Sequence, residues 1–185
     1  MIDKSQNTGN IMIAKYDKHS ENIKQISSRI SVLAGVIWRE HYTSIIGAAQ
    51  VEYMLDKFQT GEQIYEDIIN NNFVYFTAEN TAETDEHKSM VGYAACVPKE
   101  DCLFLSKLYV HKDYRRKGIS RCFVNEMIAL CKSEYQFNRI RLMISKINHD
   151  SYNAYLRMGF KNIDSVKVDI GNGFFMDDYV MELLI

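Results

Sequence analysis

The stretch Leu103-Phe104-Leu105-Ser106-Lys107-Leu108-Tyr109-Val110, then His111-Lys112-Asp113-Tyr114, then Arg115-Arg116-Lys117-Gly118-Ile119-Ser120 and on to Lys132, decides the fold of this 185-residue chain. Its first eight residues form an apolar, aromatic run with no breaker, which predicts a buried strand. After Gly118, Ile119, Phe123, Met127 and Leu130 recur at spacings of four, four and three, one face of a helix. Between strand and helix lies a short basic turn holding one glycine. A helix start leaves several backbone N–H groups without intrahelical partners, and together with the helix dipole they attract phosphate. Gly118 has no Cβ to keep a diphosphate off the main chain. Charge runs such as Arg115-Arg116-Lys117 are usually solvated faces, but this one precedes a glycine at a helix start, which favours phosphate binding.

Working outward, Met1 to Asn10 is polar and expected to be loose. Ile11, Met12 and Ile13 begin a strand. Ile23, Ile26, Ile30, Leu33 and Ile37 mark an amphipathic helix ending near Trp38-Arg39-Glu40-His41-Tyr42. Val51, Met54, Leu55 and Phe58 mark a second helix, and Thr60 with Gln63 makes a capping-box pattern ahead of a third. Strands are predicted at Phe73 to Ala78, Met90 to Val97 and Cys102 to Val110, with Glu79 to Ser89 as a polar hairpin loop. Arg139 to Ser145 is a further strand, and Asp150 to Met158 a short helix stopped by Gly159. Lys161 to Ile170 and Phe174 to Leu184 close the chain as a hairpin about Gly171-Asn172-Gly173. This order predicts an α/β fold (an α+β mixed sheet), a central mixed sheet with helices on both faces, with residues 1–185 forming one domain.

Acidic and basic residues nearly cancel, 24 against 22, so no nucleic-acid surface is expected. No apolar run is long enough to span a bilayer and no signal peptide is seen, so a cytoplasmic protein is expected. Cys96, Cys102, Cys122 and Cys131 make no CxxC pair and no His lies at ligand spacing from them, which predicts buried reduced thiols and no metal.

The turn Arg115, Arg116, Lys117, Gly118, Ile119, Ser120 resembles the pyrophosphate signature of the GNAT superfamily of acyl-CoA N-acyltransferases, with serine where that family has Gly or Ala. A second GNAT-like pattern is Asn148, six residues, Tyr155, three residues, Gly159-Phe160. The element order is also that of the GNAT fold. The resemblance implies acetyl-CoA as cosubstrate, bound by the main chain of Leu108, Tyr109 and Val110, by Arg115, Arg116, Lys117, Gly118, Ile119, Ser120 and Arg121, and by Asn148 and Tyr155. It also implies a bulge in the fourth strand that splays it from the fifth, and Tyr155 as the acid that protonates the departing thiolate. Tyr152, on the same helical face, is instead expected to be a core aromatic.

A general base must take a proton from the amine, whose pKa is about 10.4 if it is lysine-like. Glu40 and His41 are candidates, against the plainer possibility of a polar helix end. Asp177 and Asp178 are adjacent and must point to opposite faces of their strand, so at most one faces a cleft. Glu40, His41, Asp177 and Asp178 are therefore the candidate acceptor-binding residues. The first helix and the Asp-Asp-Tyr-Val-Met segment resemble the polyamine and diamine acetyltransferase branch of GNAT. The expected function is acetyl transfer from acetyl-CoA to a small cationic primary amine such as a polyamine, by direct attack in a ternary complex. The alternatives are a protein or peptide N-acetyltransferase and a non-catalytic acyl-CoA-binding module. The acceptor and the oligomeric state, a homodimer included, stay open.

Overall fold

The computed structural model describes residues 9–82 and 89–185. In chain order they form β1 (Ile11–Tyr16), α1 (Ile23–Ile46), α2 (Ala48–Phe58), α3 (Gly61–Ile69), β2 (Val74–Asn80), β3 (Met90–Pro98), β4 (Leu103–Val110), a 3₁₀ turn at Lys112–Tyr114, α4 (Ile119–Leu130) prolonged by a π turn at Cys131–Tyr135, β5 (Arg139–Ser145), α5 (His149–Met158), β6 (Lys161–Gly171) and β7 (Phe174–Leu184). Most of the loose N-terminus and most of the polar hairpin loop expected from the sequence lie outside the described residues.

The seven strands make one mixed sheet in the order β1-β2-β3-β4-β5-β7-β6. β1 to β4 run as an antiparallel meander. β4 and β5 are parallel, joined by the α4 crossover, and β7 inserts between β5 and β6. A parallel pair cannot be closed by a tight turn, so the basic turn and α4 are what the connection requires.

Helices cover both faces, as the apolar spacing predicts. On one face Ile119, Phe123, Met127 and Leu130 of α4 pack with Leu103, Leu105, Ile140, Leu142, Tyr155 and Phe160. On the other, Ile30, Leu33, Ile37 and Trp38 of α1 meet Val51, Ile64, Ile68, Tyr75 and Tyr93. Burying each such side chain contributes roughly 1.5–3 kcal/mol.

Three local readings change. α1 does not end at Trp38–Tyr42 but runs on to Ile46, so those residues sit within its last turns. Thr60 Oγ1 accepts from Gln63 N at 3.1 Å, but the Gln63 amide turns to Asp67 at 2.9 Å, so only half of the capping box forms. The strand at Leu103 to Val110 is not uniformly apolar in its burial: Ser106 is exposed and Lys107 is buried.

Candidate active site

The site begins with an irregularity in β4. Cys96 of β3 pairs with Leu105 and Ala95 with Lys107, so Ser106 is an extra residue without a partner in the ladder. A bulge of this kind bends its strand and increases the local twist. β4 and β5 accordingly pair only at Leu103–Ile140, Phe104–Arg141 and Leu105–Leu142, and part beyond that point. The gap is a narrow slot of about 50 Å³ bordered by Ser106, Lys107, Leu108 and Tyr109 of β4, Met143 and Ile144 of β5, Tyr42 of α1 and Tyr155 of α5. Main-chain groups of β4 that would have bonded β5 are free there to meet a ligand.

Tyr155 reaches the slot because α5 is tightly bounded. Asn148 caps it, accepting from Ser151 N at 3.3 Å, and Gly159 closes it with φ 101°. The Tyr155 ring meets Phe160 edge-on at 5.4 Å and is 8% exposed. Burial, with Tyr42 adding to it, pushes the Tyr155 phenol well above its ordinary pKa. At neutral pH it is protonated, so it has a proton to give. The Asn148 amide donates to Tyr42 Oη at 3.4 Å, and burial pushes the Tyr42 phenol up to about 12. Tyr42 also stands edge-on to Tyr109 at 6.3 Å, within a cluster where Trp38 and Tyr93 flank Tyr109 at 5.5 and 5.2 Å. Tyr152 packs on Tyr179 at 5.1 Å at the edge of the core, the structural place expected for it.

The basic turn follows directly. Gly118 has φ 83° and precedes the first turn of α4, and its carbonyl accepts the first helical bond, from Cys122 N at 3.1 Å. Arg116 also lies in the left-handed region, φ 61°, which is costly for a residue with a Cβ. Arg116 and Lys117 are exposed, and Lys117 Nζ lies 4.6 Å from the Tyr114 ring centroid. Ile119 is buried and Ser120 half-buried, so the serine is accommodated at the helix start. Arg121 donates to the Arg157 carbonyl at 3.1 Å, tying α4 to α5. Arg115 turns inward instead: its Nε donates to Val110 O at 3.0 Å and its Nη1 lies 3.4 Å from His41 Nδ1. Burial and the Arg115 charge hold His41 below the usual histidine pKa, so it is neutral. With Arg115 donating to Nδ1, the ring proton sits on Nε2.

Of the acids, Glu40 is ion-paired with Lys112, which holds its carboxyl below the usual range. Asp177 is exposed and paired with Lys146 at 2.5 Å. Asp178 points to the opposite face, that of α1, and is 7% exposed. Burial first, and then the Asp177 charge, raise its carboxyl pKa. It makes no ion pair among the described residues, although the Lys146 charge partly offsets the rise, and its own charge acts on Tyr42 and Lys146. Cross-strand neighbours of Asp178 are Ser145 at the open end of β5 and Val166 of β6.

Sequence reasoning missed Tyr42, Ser106 and Lys107. Tyr42 had a usable signal, the Trp38–Tyr42 spacing of one helical turn. Lys107 had another, a cation inside an otherwise apolar strand. A second, larger hollow of about 660 Å³, between α1 and α2 and crossed by the Arg39–Glu52 pair, shares no residue with the slot. No group of acidic, histidine or cysteine side chains suited to a metal occurs among the described residues, and no helix among them is long and apolar enough to cross a membrane.

Residues 37–160, more than half of the chain, match the Acetyltransferase (GNAT) family, and the chain belongs to that family. No curated protein matches it. Among solved structures it is similar to the PaiA N-acetyltransferase of Thermoplasma acidophilum in complex with coenzyme A, with TM-score 0.74 and 19% identity over 95% of this chain and 99% of that one. It is also similar to a GNAT acetyltransferase of Staphylococcus aureus, TM-score 0.65 and 19% identity over 93% and 97%. Arabidopsis thaliana NAA60, solved with a bisubstrate analogue, gives TM-score 0.61 and 14% identity over 94% and 99%. At these identities the likeness is one of fold, and the mixed α/β sheet is that of GNAT acyltransferases.

Proposed function

We propose that this chain, acting as one domain, transfers an acetyl group from acetyl-CoA to a small cationic primary amine by direct attack in a ternary complex. The observation that carries this reading is the slot opened by the Ser106 bulge, with Tyr155 in its wall. The thioester carbonyl lies along the free β4 main chain of Leu108 to Val110, whose N–H groups stabilise the oxyanion. The diphosphate sits at the Arg116–Ser120 turn and the first turn of α4. Asn148, at the start of α5, borders the coenzyme arm. The amine nitrogen attacks the carbonyl carbon, the C–S bond breaks, and the Tyr155 phenol donates to the departing sulfur.

For the acceptor, Asp178 is the carboxylate best suited to hold the ammonium and take its proton. It is buried, makes no ion pair among the described residues and has a raised pKa, with Lys146 only partly offsetting the rise. Glu40 and Asp177 are held by Lys112 and Lys146, and serve the rim of the site with His41. A polyamine or diamine is the first acceptor to test. Thiol release from acetyl-CoA is to be followed against polyamines, amino acids, aminoglycosides and peptides. Turnover with spermidine or putrescine supports the reading. Turnover with peptide amines alone moves the acceptor to proteins, and CoA binding without turnover on any amine leaves a binding module.

A further inference from the structure

Lys107, which also borders the slot, sends its side chain to the α1–α3 face of the sheet into a buried charge network that the proposed chemistry does not use. Lys107 Nζ is 2.9 Å from Asp67 Oδ2, with the two residues 8% and 5% exposed. The Tyr75 hydroxyl donates to the same oxygen at 2.9 Å, and Gln63 Nε2 donates to Asp67 Oδ1 at 2.9 Å. The ammonium also lies 5.1 Å from the Phe73 ring centroid and 5.5 Å from that of Tyr75. Burial pulls the Lys107 pKa down and Asp67 opposes it.

A buried ion pair is poor at adding stability, since removing both charges from water costs as much as their attraction returns. Its best-attested use is to fix register. Here a register is in question. Leu105 and Lys107 would share a face in a regular strand, and the Ser106 bulge sends Lys107 to the opposite one. A competing arrangement would pair Ser106 with Ala95 and make Lys107 the extra, solvated residue. By desolvation alone that arrangement is the better one, because it leaves the ammonium in water. Only a carboxylate waiting on α3 reverses the preference.

We infer that the Lys107–Asp67 pair is a register lock that fixes the β4 bulge at Ser106 and so positions the main chain of Leu108 and Tyr109, which line the slot. Lys107 and Asp67 are positioning residues, acting through the strand and not on the acyl group. Their effect on transfer rests on the acetyltransfer reading; the lock itself does not.

The test replaces the network by apolar groups of similar size, Lys107→Met with Asp67→Leu and Tyr75→Phe. Such a swap leaves folding stability unchanged or raised. The lock predicts a variant that melts at or above the wild-type temperature, yet has faster amide exchange at Leu108 and Tyr109 and at least tenfold weaker CoA binding. Thiol release falls through kcat, with KM for the amine little changed. If the triple variant fails to fold, Asp67→Asn serves instead: it leaves the ammonium without its carboxylate and so melts below wild type, and the lock predicts the same faster exchange at Leu108 and Tyr109 and the same weaker CoA binding in the folded protein. Wild-type exchange and CoA affinity in a folded variant overturn the lock. Absence of thiol release by the wild-type protein on every amine counts against acetyl transfer instead, and leaves the exchange and affinity results to decide the lock.

Discussion

At the scale of single residues, the site separates a group with a proton to give from one suited to receive it. Tyr155 is kept protonated by burial, so Tyr155→Phe is expected to lower turnover by about 10²–10⁴ while leaving CoA affinity unchanged. Stopped-flow thiol release and calorimetric titration measure the two separately. Asp178 is shifted the other way from a salt-bridged acid: its folded pKa is raised. The native state therefore holds that proton more readily than the unfolded chain, and the ionised carboxylate opposes folding. The penalty is present at neutral pH and is relieved as pH falls through the raised pKa toward the unfolded value of about 3.9. Asp178→Asn should thus melt higher than wild type at pH 7, with the difference closing in acid, while its KM for amine rises more than that for acetyl-CoA. A neutral-pH melting point below wild type would show instead that Asp178 carries a structural bond.

Elements decide where those residues meet, and here the sequence is unevenly informative. The strand, basic turn and helix from Leu103 to Leu130 could be read directly, because apolar spacing and one glycine encode them locally. Gly118→Val must place a β-branched residue at φ 83°, and should raise the CoA dissociation constant about tenfold, equivalent to about 1.4 kcal/mol; unchanged affinity in a folded variant removes the turn from the binding site. The alternation that sent Asp177 and Asp178 to opposite faces was legible for the same reason. For Lys107 the sequence shows only a cation inside an apolar strand; which face it takes depends on a partner forty positions away on α3 and on the extra residue Ser106. The length of α1 was also underestimated: its apolar repeat fades after Trp38, but the chain continues helically to Gly47, where φ turns positive. α3 is held at its start by Thr60, so Thr60→Ala should cost about 1 kcal/mol, read as a lower midpoint in urea. Because α3 carries both Gln63 and Asp67, loosening it should also speed exchange at Lys107.

Taken as a whole, the molecule is a sheet covered on both sides and opened at one seam. Its charges nearly cancel, 22 basic against 24 acidic, so in the proposed reaction the attraction for an anionic cosubstrate falls to the local group of Arg115, Arg116 and Lys117 and to the helix start. Arg116 and Lys117 are exposed. CoA affinity should therefore weaken steadily as salt shortens the screening length from about 10 Å at 0.1 M to about 3 Å at 1 M. Titrations across that range check it, and replacing Arg116 and Lys117 together by alanine should flatten the slope. A slope that survives the double replacement would place the diphosphate elsewhere.

The bulge also makes strand length a functional quantity. Leu105 and Lys107 already occupy ladder positions opposite the consecutive residues Cys96 and Ala95. Excising Ser106 would therefore leave every side chain of β4 on its present face and every pairing with β3 intact. What would vanish is the bend, and with it the reason for β4 to leave β5. The shortened chain should fold with both cores complete and the seam zipped shut. A single codon lost from this strand could thus turn an acyltransferase scaffold into an inert one without passing through an unfolded protein.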